Sequence, residues 1–211
     1  MSLQPISGNI PPKGQKPVIV GISGASGSIL ARATVDALLQ QDTPTILVCT
    51  NAARLVWQEE MDISFNETLS EWQEHPHFTH YSLGDMRASI ASGTFATAGM
   101  AIVPCSMNSI AAISHGLSNN LMLRAADVCL KERRKLVLVP RETPLHATHL
   151  ENMLSLTRNG AIILPPEPAF YLKPRGVEDI ARFVAQRVLV ALDVATDLPE
   201  EFQYREREWE Q

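Results

Sequence analysis

Short runs of β-branched and aliphatic residues recur along the chain, and each ends in a small, polar or proline-containing segment that leads into a helical repeat. Residues 17–22 form the first run, and Ser23-Gly24-Ala25-Ser26-Gly27 separates it from a helical pattern over 28–41. Residues 45–50 repeat the theme ahead of a helix over 51–60, and the polar stretch 62–83 reads as a helix followed by a short strand. Further strands are predicted over 100–103, 136–139 and 161–164, with helices over 107–115, 121–134, 146–157 and 177–192. Crossovers of roughly 15 to 30 residues between such strands predict a parallel sheet covered by helices on both faces. No internal repeat or second core interrupts this order, so one domain is expected.

Composition narrows the classes. A chain of 211 residues with 45% hydrophobic content is long enough for a substantial core, and no apolar run approaches the length of a membrane span. Residues 1–16 contain Pro5, Pro11, Pro12 and Gly14 and lack the apolar core of a signal peptide, so a cytoplasmic location is the default. A net charge of −5 argues against general nucleic-acid binding, which needs cations to neutralise phosphates. Cys49, Cys105 and Cys129 are widely spaced and odd in number, which fits reduced buried thiols better than disulfides or a zinc site.

Two strand ends carry candidate chemistry. Residues 137–142 read Val-Leu-Val-Pro-Arg-Glu, and residues 101–106 read Ala-Ile-Val-Pro-Cys-Ser. Ligands of open α/β sheets bind beyond the carboxyl ends of the strands, so both stretches present polar groups where a crevice is expected. The loop 23–27 suits either a phosphate site at a helix start or an ordinary tight turn; it is neither a Walker loop nor a complete Gly-x-Gly-x-x-Gly. Thr50 and Asn51 are candidates for ligand contact or for capping. Glu59 and Glu60 oppose the dipole of the helix they close, which hints at a functional carboxylate.

Other features have plainer readings beside functional ones. His75, His77 and His80 have no acidic or thiol partner at a metal-binding spacing and read as a solvated turn. Residues 85–97 form a loop of small residues able to lie against a flat ligand. Arg124 and Lys131, seven apart, face either one anion or solvent. The proline-rich stretch 165–171 is expected to wrap a pocket with Phe170 and Tyr171, and the charged tail 193–211, with Phe202, Tyr204 and Trp209, to fray or to pack on a neighbouring subunit.

Taken together, Gly24-Ala25-Ser26-Gly27, Ala91-Ser92-Gly93, Pro104-Cys105-Ser106, Asn119-Asn120-Leu121, Arg124-Ala125-Ala126-Asp127-Val128, Leu130-Lys131-Glu132-Arg133-Arg134, Leu138-Val139-Pro140-Arg141-Glu142 and His149-Leu150-Glu151-Asn152-Met153 resemble the UbiX-type flavin prenyltransferases in content and order. The resemblance implies a three-layer α/β/α, Rossmann-like or flavodoxin-like fold over 17–192, flanked by an N-terminal extension (1–16) and a C-terminal tail (193–211). It implies a homododecamer with active sites at subunit interfaces. It also implies reduced FMN and dimethylallyl monophosphate as substrates, and prenylated FMN as a product passed to a UbiD-type decarboxylase.

By motif, Gly24, Ala25, Ser26, Thr50, Cys105, Ser106 and Arg124 correspond to the flavin side, and Lys131, Arg141, Tyr171 and Arg187 to the prenyl phosphate. Glu60 and Glu142 correspond to active-site carboxylates, Glu142 moving the proton with Glu60 and Ser26 beside it. The chain departs from the family at Asn51, where Lys is common, and at Met86, where some members have Trp. The competing readings are an FMN-dependent cysteine-type decarboxylase, whose motif Pro104-Cys105-Ser106-Met107-Asn108-Ser109 matches only loosely, and an FMN carrier without catalysis.

Overall fold

The structure is a computed structural model and describes residues 14–204. Its strands are β1 (Val18–Ile22), β2 (Thr45–Cys49), β3 (Phe78–Tyr81), β4 (Gly99–Cys105), β5 (Lys135–Pro140) and β6 (Ile162–Ile163). All pairs are parallel and the order is β3-β2-β1-β4-β5-β6. The chain builds outward from β1 to β3, returns to β4 on the other side of β1, and continues to β6. The reversal places a crevice at the carboxyl ends of β1 and β4, where doubly wound sheets bind their ligands.

The expected three layers are present. Helices α1 (Ser28–Gln40), α2 (Asn51–Glu60), α3 (Phe65–Gln73), α4 (Met107–Ser114), α5 (Leu121–Lys131), α6 (Ala147–Arg158) and α7 (Val177–Ala191) cover the sheet. Alternate strand residues feed opposite cores: Val18, Val20, Val137 and Val139 pack with α1 and α7, whereas Ile19, Met100, Leu136 and Leu138 pack with α4 and α5. This two-residue period is what a sheet buried on both faces requires. Each wholly buried aliphatic side chain contributes roughly 1.5 to 3 kcal/mol. At the β3 edge, Trp57 is fully buried, meets Phe65 and Trp72 edge-on at 5.4 and 6.0 Å, and donates its indole N–H to Ile63 O at 3.0 Å.

Several boundaries differ from the periodic pattern for local reasons. α5 stops at Lys131, short of the expected residue 134, because Arg133 turns left-handed at φ 57°. Arg133 N then donates to Leu130 O and Arg134 N to Cys129 O, the paired bonds that close a helix in this way. β6 shrinks to two residues, since it pairs only with Val137 and Leu138. His80 lies in β3 rather than in a solvated turn, while His75 and His77 meet edge-on at 5.6 Å in the preceding turn. Among the described residues no helix is long and apolar enough to cross a membrane.

Candidate active site

Strands β2, β1 and β4 are neighbours, and each hands the chain to a helix at its carboxyl end. The N-termini of α2, α1 and α4 therefore converge on the crevice and give it a positive dipole field suited to an anion. Thr50 caps α2 by accepting from Ala53 N at 3.1 Å, and its own N–H donates to Ile22 O at 3.0 Å. Ser106 caps α4 by accepting from Ser109 N at 3.3 Å. α1 has no side-chain cap of its own from Gly27 and no acidic residue in its first turn.

Glu60 supplies what α1 lacks. From the far end of α2, its Oε2 accepts from Gly27 N at 2.9 Å and from Ser28 N at 2.8 Å. Partial burial pushes its pKa up, but hydrogen bonds from the Ser26 hydroxyl and the Ser28 and Gly27 amides prevail and hold the carboxyl below the ordinary 4.5. Two amides that the sequence offered to a phosphate are thus taken by a carboxylate of the same chain. Helix termination does not explain Glu60; its partner is the start of another helix.

The loop before α1 is built for close approach. A Cβ on Gly24 would lie 2.5 Å from the Ala52 Cβ, so α2 packs directly on the loop backbone. Gly27 sits at φ 120°, a conformation side chains rarely adopt. Ala25 is buried, and Gly24 and Ser26 are half-buried at the crevice.

The ends of β1, β4 and β5 are stitched together. Ser23 Oγ donates to Pro104 O at 2.9 Å and accepts from Ser106 N at 2.7 Å, while Arg141 N donates to Cys105 O at 3.3 Å. Arg141 and Glu142 follow directly as exposed residues, with Glu142 Oε1 accepting from Thr143 N at 3.1 Å. Cys105 is fully buried and burial alone pushes its thiol well up, so it serves as packing rather than as a nucleophile. Gly24, Ala25, Ser26, Thr50, Glu60, Cys105, Ser106, Arg141 and Glu142 therefore share one edge of the sheet.

Lys131 and Arg187 do not join them within a single chain. Lys131 lies four positions before β5, whereas Arg141 follows it directly, so the six-residue strand puts roughly 20 Å between the two positions. Lys131 ion-pairs with Glu132 beside Gly93, which has no room for a Cβ. Arg187 is exposed on α7, which packs with α1 on the opposite face from α5. Phe170 and Tyr171 are 77% and 53% exposed, against the expectation that they line a pocket. Their three-residue 3₁₀ turn buries none of its side chains, so within a single chain both rings stay largely exposed.

Of the basic set on and after α5, Lys131 and Arg133 are exposed, whereas Arg124 and Arg134 are engaged with the protein. Arg124 Nε donates to Ala91 O at 3.0 Å and its Nη1 pairs with Asp127 at 2.7 Å. Arg134 donates to Phe95 O at 2.8 Å and to Gly93 O at 2.5 Å. Together they fasten the small-residue loop 91–95. Arg134 and Ser23 escaped the sequence reading: a loop-binding arginine looks like a surface charge, and the only signal for Ser23 was a hydroxyl placed directly after a buried strand. The described part of the tail packs on its own chain, with Phe202 against Phe183 at 5.7 Å and Tyr204 against Tyr171 at 5.8 Å; Trp209 lies outside the described residues.

A doubly wound sheet with an anion-accepting crevice at its switch point defines the general class, and the family model described as Flavoprotein matches residues 9–189. A flavin prenyltransferase UbiX from Alkalihalophilus pseudofirmus is 43% identical over 189 residues, covering 85% of this chain and 92% of that one. The chain belongs to the UbiX-type flavin prenyltransferases within the flavoprotein family. A crystal structure described as AnUbiX (PadA1) in complex with FMN and dimethylallyl pyrophosphate superposes with a TM-score of 0.83 at 39% identity, covering 93% of this chain and all of that one. Another, described as a dodecameric FMN-dependent Ubix-like decarboxylase from Escherichia coli O157:H7, gives 0.77 at 43% identity, covering 82% of this chain and 92% of that one.

Proposed function

We propose that this protein is a flavin prenyltransferase that joins the dimethylallyl group of dimethylallyl monophosphate to N5 and C6 of reduced FMN and passes prenylated FMN to a UbiD-type decarboxylase. The observation that carries the reading is the stitched edge, where Ser26 and Glu60, Cys105 and Ser106, and Arg141 and Glu142 meet around three helix N-termini. That edge suits FMN: the dipoles of the three helix N-termini favour its phosphate.

Lys131, Arg141, Tyr171 and Arg187 hold the prenyl phosphate. Charge-assisted hydrogen bonds from the cations stabilise the negative charge that builds on the phosphate as the allylic C–O bond breaks, and the phosphate leaves with the electron pair. Flavin N5 bonds to prenyl C1 and gives up its own proton to the departing phosphate, and C6 then bonds to C3. Ring closure takes up one proton at the prenyl chain and releases one from C6. Glu142 carries that proton, while Glu60, ionised and fixed by Ser26 and the α1 amides, adds negative charge beside the cationic prenyl carbon.

Because Lys131 and Arg187 lie on opposite faces of one protomer, the complete phosphate site forms where protomers of a homo-oligomer meet. A dodecamer and a cytoplasmic setting belong to the same reading, the latter supported by Cys49, Cys105 and Cys129, all free thiols.

The test is anaerobic incubation with reduced FMN and dimethylallyl monophosphate, followed by mass analysis of the extracted flavin. A five-carbon adduct is expected. Unmodified FMN from protein that binds it would favour the carrier reading, and decarboxylation of a cysteine-derived substrate would favour the alternative enzyme. Repeating the reaction with the pyrophosphate decides the leaving group.

A further inference from the structure

Ser23 is 1% exposed and lies at the end of β1, yet its hydroxyl bridges to residues eighty-one and eighty-three positions away. Its Oγ–H donates to Pro104 O at 2.9 Å, and the same oxygen accepts from Ser106 N–H at 2.7 Å. Its own N–H donates to Pro104 O as well, at 3.2 Å. A single atom that both donates and accepts is a property of a hydroxyl, and no aliphatic side chain of similar size replaces it.

The bridge acts on α4 through Ser106. That residue caps α4, with its Oγ accepting from Ser109 N at 3.3 Å and lying 3.1 Å from Ser109 Oγ. By engaging the Ser106 amide from behind, Ser23 sets the direction in which Ser106 and the first turn of α4 meet the crevice. Without the hydroxyl, the Ser106 N–H loses its partner and the turn must rotate to find another.

We propose that Ser23 is a positioning residue for flavin binding: it locks the Cys105-Ser106 turn to the end of β1, and so fixes the polar wall against which FMN is held. The proposal rests on the flavin reading above. Ser23 itself touches no substrate in this scheme; its effect passes through Ser106.

Ser23→Ala and Ser23→Thr variants test it, with FMN titration, the absorbance spectrum of bound flavin and thermal unfolding measured on each. Ser23→Ala loses both hydrogen bonds of the hydroxyl and is expected to bind FMN on the order of ten-fold more weakly, with a shifted bound-flavin spectrum. Ser23→Thr, which keeps the hydroxyl, is expected to recover much of the affinity. Unchanged affinity and spectrum in a folded Ser23→Ala protein would overturn the proposal, as would equal losses in both variants, which would assign the effect to packing.

Hydrogen exchange on the wild-type protein gives an answer that does not depend on variants folding. The Ser106 amide, in the peptide over 103–109, should exchange slowly in the free protein and more slowly with FMN. Rapid exchange in the free protein would overturn the bridge. If wild-type protein fails to bind FMN while this amide is protected, the flavin reading fails and the bridge stands as a feature of the fold alone.

Discussion

The carboxylate of Glu60 lies 2.8 Å from the backbone N–H of Ser28, thirty-two residues earlier in the chain. One side chain thereby ties the end of α2 to the start of α1 and places a fixed negative charge at the rim of the crevice. Replacing Glu60 by Gln removes the charge but keeps an acceptor. A loss of roughly 0.5 kcal/mol of stability is expected at neutral pH, small because the group is largely exposed.

The pH dependence of that loss has a defined sign. Glu60 titrates below the ordinary 4.5 in the folded protein, so its contribution is fully present above pH 4.5 and disappears as the pH falls through the depressed value. Urea unfolding of wild type and Glu60→Gln should therefore differ at pH 7, and the difference should shrink as the pH is lowered below 4.5 and through the depressed value. A difference that grows on acidification would refute the assignment.

Gly24→Ala should destabilise by about 1 to 3 kcal/mol, because the added methyl meets Ala52 across a packed interface. Urea midpoints measure this directly. An unchanged midpoint would mean that α2 yields more easily than its packing implies.

Glu142→Gln should retain FMN affinity, since the residue is exposed past the end of β5, and should slow ring closure by about 10² to 10⁴-fold. The singly bonded adduct and the closed product have the same mass, so absorbance after oxidation is the informative measurement. Wild-type amounts of closed product would exclude Glu142 as the proton carrier.

Mixing two inactive variants tests the shared site. In randomly reassembled oligomers of Glu142→Gln with Lys131→Ala, about a quarter of sites should combine an intact Glu142 with an intact Lys131 from a neighbour. Recovered activity near that level is expected. A mixture as inactive as its components would place both residues on one protomer.

Burial pushes the thiols of Cys49 and Cys129 up to about 12 and that of Cys105 higher still. Native protein at pH 8 should resist alkylation at all three positions and react at each once unfolded. Rapid labelling of native Cys105 would restore a nucleophilic role to it.

The layers were legible because buried strands and amphipathic helices carry their periods in the chain itself. Val18, Val20 and Ile22 face one core and Ile19 the other, and Leu121 and Ala125, one turn apart on α5, pack into the second core. Strand ends at Cys105-Ser106 and Arg141-Glu142 were likewise legible, since a proline after three apolar residues marks each exit. The fate of the basic residues was not. Arg124 and Arg134 bind carbonyls of the loop 91–95, and a carbonyl leaves no mark on residue identity.

For the stretch 137–142 the sequence alone determined a buried strand that delivers an arginine and a glutamate to the sheet edge, because apolar periodicity and proline are local properties. Tertiary structure decided which groups await them there. Ser23 and Glu60 reach the edge through contacts spanning between thirty-two and eighty-three positions, and Lys131 and Arg187 are kept away by the sheet that separates their helices. Such relations depend on how distant elements stack, and stacking follows from the packing of whole faces rather than from any one motif.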